Sequence, residues 1–210
     1  MTRRPLARRI TVTAVSAAAL AALAAPAEAA TTASGASTTA TGTAAAAVDY
    51  TTWQQDCQAV MNQAMPYVQN RIAAARPGEK QAIVFDIDNT TLETDFGFSY
   101  PQPANKPVLN VAKYAQEHGV ALFFVTARPG IIAAPTQFNL EFDGYRVAGL
   151  YDRGLFDLFK DVAEYKTAQR VDIENKGYTI IANIGNSASD LSGGHAEKTF
   201  KLPDYDGQLS

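Results

Sequence analysis

The chain has 210 residues, 47% of them hydrophobic and 19% charged, with a formal net charge of −3. That length supports one well-buried domain and leaves little room for a second. The weakly negative balance, with no basic patch interleaved with aromatics, argues against nucleic acid or an anionic membrane surface as partner. A single cysteine, Cys57, excludes an intrachain disulfide and any cysteine cluster for zinc or iron–sulfur; buried and inert is its expected state.

In chain order, residues 1–29 have the layout of a secretory signal. Arg3, Arg4, Arg8 and Arg9 form a basic start, Ile10 to Ala25 an alanine-rich apolar run, and Ala27-Glu28-Ala29 supplies small residues where an export peptidase reads. The run is too short and small-chained for a membrane span. Thr2-Arg3-Arg4-Pro5-Leu6 also fits a twin-arginine signal, so Sec and twin-arginine export both stay open. Cleavage after Ala29 would leave 14 Lys+Arg against 20 Asp+Glu, a net charge of −6, which suits a secreted protein. No cysteine stands where a lipid would be attached, so no stable membrane anchor is expected. Residues 30–47 are all Ala, Thr, Ser or Gly and read as a disordered tether. The folded domain is expected over 48–210.

Trp53, Cys57, Val60, Met61, Ala64, Val68 and Ile72 recur at helical intervals and predict a helix over Thr52 to Arg76, bent or divided at Pro66 and ended by Pro77-Gly78. Ala82–Phe85 predicts a central strand. The span 92–107, rich in proline, glycine and aromatics, predicts an ordered insert. A helix over Pro107 to His118, a strand over Val120 to Val125 and a bent helix over Ile131 to Leu140 follow. Leu150-Tyr151 is a short strand candidate. Thr167 to Asn175 predicts a helix, Tyr178 to Ile184 a strand, and Thr199 to Leu202 a shorter strand at an edge. Strands and helices alternate, and the strands are apolar throughout. That pattern is α/β with a mainly parallel sheet, in which ligands sit beyond the carboxyl ends of the strands.

Polar residues follow those strand ends. Asp86 and Asp88 come directly after Ala82–Phe85, two apart and on one side of an extended segment, so a cation or a proton is needed to relieve their repulsion. An Asp/Asn-rich surface turn would read the same way. Thr126, with Arg128 beyond it, follows the second strand, where a hydroxyl and a backbone N–H hold an anionic oxygen or cap a turn. Asn186 and Asp190 follow Tyr178–Ile184 and are four apart, facing one direction if a helix starts there.

In order along the chain, Asp86-Ile87-Asp88-Asn89-Thr90, Thr126 in Phe124-Val125-Thr126-Ala127-Arg128-Pro129, Lys166 in Tyr165-Lys166-Thr167, and Asn183-Ile184-Gly185-Asn186-Ser187-Ala188-Ser189-Asp190-Leu191 resemble the four motifs of the haloacid dehalogenase (HAD) superfamily. The match is to its secreted, class B-like or plant-type acid phosphatase branch, subfamily IIIB, and spans roughly Trp53 to Asp204. The resemblance implies a HAD-like Rossmannoid three-layer α/β/α sandwich with a small cap insert. It implies hydrolysis of a small-molecule phosphate monoester, with Asp86 as nucleophile, Asp88 as acid and base, and Thr126 and Lys166 on the phosphate oxygens. It also implies Mg2+ held by Asp86, the Asp88 backbone carbonyl, and Asn186 or Asp190. Arg128 is a further candidate for the phosphate, or else pins its own loop to an acidic neighbour. His195 is a candidate for the pocket mouth and His118 for a helix end. Phe96, Phe98 and Tyr100 are candidates either for stacking a substrate or for packing the insert. The family carries aspartate where this chain has Asn186, which removes one negative charge from the cation's surroundings. That departure keeps a second reading alive, a weakly active or inactive phosphate-ester-binding or storage protein on the same scaffold. The natural substrate and the oligomeric state stay open.

The secretory reading predicts that N-terminal sequencing of the exported protein begins near Ala30; an intact chain confined to the cytosol would contradict it.

Overall fold

The computed structural model describes residues 47–209. The expectations for residues 1–29 and for the tether up to Ala46 therefore lie outside the described residues. From there the chain runs α1 (Tyr50–Ala73), β1 (Lys80–Phe85), α2 (Lys106–Glu117), β2 (Ala121–Pro129), α3 (Ala133–Asp143), β3 (Val147–Arg153), α4 (Val162–Asn175), β4 (Tyr178–Gly185), α5 (Ala188–Leu191) and β5 (Thr199–Lys201). Short 3-10 turns stand at Gly130–Ile132 and Asp157–Phe159.

The five strands form one parallel sheet in the order β3-β2-β1-β4-β5, with β1 at its centre and β5 at an edge. Side chains alternate across it. Ile83, Phe85, Leu122, Phe124 and Ile181 pack on one face with Trp53, Met61 and Val68 of α1 and Val108, Val111 and Ala112 of α2. Ala82, Val84, Phe123, Val125 and Ile180 pack on the other with Tyr165 and Ile173 of α4. Both faces are covered, which is why the strands read as continuous apolar runs. The result is the expected α/β/α layering.

Three elements differ from the sequence reading, each for a local reason. Pro66 neither divides nor ends α1. It lies on the exposed side of the helix, as does Asn62, whose carbonyl loses its helical partner to the proline. α4 begins at Val162, five residues before the predicted start. Asp161 caps it by accepting from the Glu164 N–H at 3.0 Å, with Glu164 at the third helical position. β3 is seven residues long rather than two; only partly buried at the sheet edge, it carries too few large apolar residues to be read in full.

The segment after β1 is an ordered insert, as expected. Leu92 bridges to Ala104. Phe96 stacks on Trp53 with ring centroids 4.3 Å apart, whereas Phe98 is fully exposed and Tyr100 donates to the Pro135 carbonyl at 2.9 Å. Cys57 is buried, receives the Asn105 amide at 3.5 Å, and has its thiol pushed up to about 12 by burial. Among the described residues no helix is long and apolar enough to cross a membrane.

Asp143 is a carboxyl, away from the strand ends, that opposes folding at neutral pH. The last residue of α3, it is pushed up to about 6 by burial, against the Asn139 amide that donates to it at 3.0 Å. A raised carboxyl contributes stability that is complete below its ordinary value of 3.8 and is lost as pH rises through about 6. Asp143→Asn should therefore raise Tm at pH 7 and give no gain at pH 3.5, measured by thermal unfolding across pH.

Candidate active site

At the carboxyl end of β1, Asp86 extends the sheet ladder by one bond, donating its N–H to the Ile184 carbonyl of β4 at 2.9 Å. This fixes its side chain beside the turn that follows β4. Lys166, which α4 turns inward, donates from Nζ to Asp86 Oδ1 at 2.6 Å and to Asp190 Oδ1 at 2.5 Å. All three side chains are at most 6% exposed. Asp190 is the third residue of α5; its Oδ2 accepts from the Ser187 N–H at 2.7 Å, closing a capping box. Its approach needs Gly185, where an added Cβ would stand 2.6 Å from Asp190 Oδ2 and 2.8 Å from its Cγ.

Electrostatics follow from this burial. Loss of water pushes the Asp86 carboxyl above the usual carboxylate range; Lys166 pulls it down, and Asp190 and Asp88 push it further up. Burial works against the Lys166 ammonium too, but Asp86 and Asp190 together outweigh it, so its pKa is raised and it stays charged. Among the described residues the second oxygen of Asp86 has no hydrogen-bond partner.

Asp86, Asp88, Lys166, Asn186 and Asp190 line one cleft of about 460 Å³, with Thr94, Asp95 and Ala127 at its walls. Two of the sequence-predicted residues are not in its lining. Thr126 is fully buried, and its hydroxyl accepts from the Arg128 N–H at 3.1 Å. Arg128 pairs with Asp88, Nη2 to Oδ1 at 2.8 Å and Nε to both oxygens at 3.1 Å. It also donates to Gln102 Oε1 at 2.9 Å and Thr136 Oγ1 at 3.3 Å, tying Asp88 to the insert and to α3. Of the two roles weighed for Arg128, the structure shows the pairing with an acidic neighbour, Asp88. Thr94 Oγ1 donates to the same carboxylate at 2.9 Å.

His195 pairs with Glu174 at 2.6 Å and does not line the cleft, which corrects its placement at the pocket mouth. His118 caps α2, with its ring stacked on Tyr114. Arg170, missed in the sequence, is fully buried and donates to the carbonyls of Asp190 at 2.8 Å and Gly194 at 2.9 Å. Asn183 donates to the same Asp190 carbonyl at 2.8 Å. Lys166 and Arg170 are four positions apart on α4, so once one is known to face inward the other follows.

Among the described residues no group of three His, Cys, Asp or Glu side chains forms a metal site. The available donors are oxygens: the free Asp86 oxygen, the Asn186 amide oxygen, and carbonyls of the 86–90 turn. Both Asp190 oxygens are already engaged by Lys166 and Ser187. An all-oxygen set next to a raised, buried carboxylate fits a hard divalent cation.

A family model described as HAD superfamily, subfamily IIIB (acid phosphatase), matches residues 7–102 and 99–208, nearly the whole chain. The chain belongs to this family. Members of the superfamily generally use a divalent metal ion. Among known proteins it is similar to the stem 28 kDa glycoprotein of Glycine max, 30% identical over 122 residues covering 55% of this chain and 47% of that one. The stem 31 kDa glycoprotein of the same plant matches equally, with 41% of it covered. The chain thus spans less than half the length of these relatives. In fold it is similar to the class C acid phosphatase of Bacillus anthracis, with a TM-score of 0.55 at 19% identity over 73% of this chain and 81% of that chain. The tungstate-bound form of that phosphatase gives a TM-score of 0.57 at 17% identity over 75% and 80%.

Removing Lys166 would leave two buried carboxylates facing each other. Lys166→Met should cost about 3–5 kcal/mol in urea unfolding at pH 7. The loss should shrink at pH 5, where Asp86 can protonate, and in the double variant with Asp190→Asn.

Proposed function

We propose that this HAD phosphatase-family protein is a secreted acid phosphatase that hydrolyses small-molecule phosphate monoesters through a covalent intermediate on Asp86. The observation that carries this reading is a buried Asp86, ion-paired to Lys166 at the tip of the central strand, sharing one cleft with Asp88. A carboxylate stripped of water beside a fixed ammonium is a nucleophile held ready for an anionic ester that the same ammonium attracts.

In the first step an Asp86 oxygen attacks phosphorus in line with the ester oxygen. The phosphorus–ester bond breaks, and the departing alkoxide takes a proton from Asp88. In the second, water attacks the aspartyl phosphate, gives its proton to Asp88, and the Asp86–phosphorus bond breaks to release inorganic phosphate. Asp88 suits this exchange: 34% exposed, it is at the cleft edge and is oriented by Arg128 and Thr94. Lys166 balances the phosphate oxygens. Thr126 supports the cleft wall through the backbone of Ala127 and Arg128, and its O–H, free to donate while its oxygen accepts from the Arg128 N–H, is a candidate donor to a phosphate oxygen. Mg2+, held by Asp86, the Asp88 carbonyl and Asn186 with Asp190 behind them, would neutralise charge between the carboxylates and the phosphate.

A second reading has one observation in its favour. Asn186 lowers the negative charge available to a cation, and a protein with this change could bind phosphate esters with little turnover, as a storage protein would. Activity toward an aryl phosphate with added Mg2+ separates the two.

Asp86→Asn should remove nearly all turnover on every ester while circular dichroism shows the fold retained. Asp88→Asn removes the proton donor, a loss of about 10²–10⁴-fold. That loss should be largest for alkyl phosphates and smallest for nitrophenyl phosphate, whose leaving group departs without a proton. The measurement is kcat/KM on both esters; a folded Asp86→Asn variant with wild-type turnover would overturn the covalent mechanism.

A further inference from the structure

Asn186 makes two hydrogen bonds that point to different parts of the molecule. Its Oδ1 accepts from the Thr90 hydroxyl at 3.3 Å, on the side of the nucleophile turn. Its Nδ2 donates to the backbone carbonyl of Leu209. Leu209 is 4% exposed and belongs to the main core, and its own N–H bonds to the Asp204 carbonyl at 3.1 Å. Tyr205 ties the same segment to α1 by donating to Asp56 at 2.7 Å. Lys201 bonds the Asn186 carbonyl and pairs with Asp204 at 2.9 Å. Residues 204–209 therefore fold back against the floor of the cleft, and the Asn186 side chain is where segment and cleft meet. A carboxylate at this position could not make the second bond, because it would set an acceptor against an acceptor.

We propose that Asn186 is a positioning residue that couples residues 204–209 to cation occupancy of the cleft. The inference rests on the assignment of Asn186 Oδ1 to the cation made under Proposed function. A cation on an amide oxygen draws electron density from the nitrogen, and the N–H becomes a stronger donor. Cation binding then tightens the bond to Leu209. By reciprocity, a docked segment holds Oδ1 in place for the cation. The asparagine gives up one charge at the cleft and in exchange makes a distant segment sensitive to whether the cleft is filled.

The experiment is hydrogen exchange of the full chain with and without Mg2+, in the absence of substrate, beside a calorimetric Mg2+ titration. In the wild type, Mg2+ should slow exchange at the amides of residues 204–209 several-fold. In Asn186→Asp, exchange in this segment should rise about tenfold without metal, the cost of one hydrogen bond, and Mg2+ should no longer slow it. Leu209→Ala, which leaves every cleft side chain in place, should weaken Mg2+ binding several-fold. Should that variant not fold, the milder Leu209→Val takes its place in the Mg2+ titration. Mg2+ binding to the wild type with unchanged exchange in 204–209, or wild-type exchange there in folded Asn186→Asp, overturns the coupling alone. No Mg2+ binding to the wild type overturns the cation assignment and the coupling with it.

Discussion

An ammonium held between two buried carboxylates is the interaction around which this protein is arranged. Lys166 has almost no water to share its charge, and neither have Asp86 and Asp190. Each ion would be costly alone, and removing the ammonium leaves two uncompensated carboxylates in the interior. The surrounding structure supplies what the triad requires. α4 must begin early enough to turn Lys166 inward, and Gly185 must lack a side chain for Asp190 to approach. Asn183 and Arg170 hold the Asp190 carbonyl, and the β1–β4 ladder extends one bond further to hold Asp86. None of these features is explained by packing alone.

A second polar system stands beside the first and has a different character. Asp88, Arg128, Thr94, Gln102 and Thr136 are joined by hydrogen bonds that cross from the nucleophile turn to the insert and to α3. Asp88 remains a third exposed and in contact with water, as Asp86 is not. One carboxylate is buried and fixed by a lysine; its neighbour two residues on is accessible and fixed by an arginine. Burial and partner, rather than residue type, separate the work the two can do.

Much of this is legible in the amino-acid sequence. The strands could be read because both sheet faces are covered, so apolar residues run unbroken through Ala82–Phe85 and Tyr178–Ile184. The polar clusters at their ends, Asp86 with Asp88 and Asn186 with Asp190, follow from the topology, whereas Lys166, inside α4, comes only from the family resemblance; all five line one cleft. What the sequence hid depends on contacts far along the chain. The α4 face that buries Tyr165, Lys166, Arg170 and Ile173 is half polar, so its periodicity is weak and its start was placed late. The partner of Arg128 lies 40 residues away, and that of the Asn186 amide 23. Neither pairing leaves a mark on local spacing. His195 was drawn toward the cleft by its neighbours in sequence, whereas the chain turns it to Glu174.

The stack of Phe96 on Trp53 gives the molecule an optical property. Trp53 is the only tryptophan in the chain, fully buried in α1, and its indole N–H has no hydrogen-bond partner. Such an indole emits at the blue end of its range. Its nearest aromatic partner belongs to the insert beside the cleft, not to the sheet. Movement of the insert away from α1 would let water reach the ring and shift the emission to the red. The protein thus carries a single tryptophan whose emission colour follows the position of its own insert.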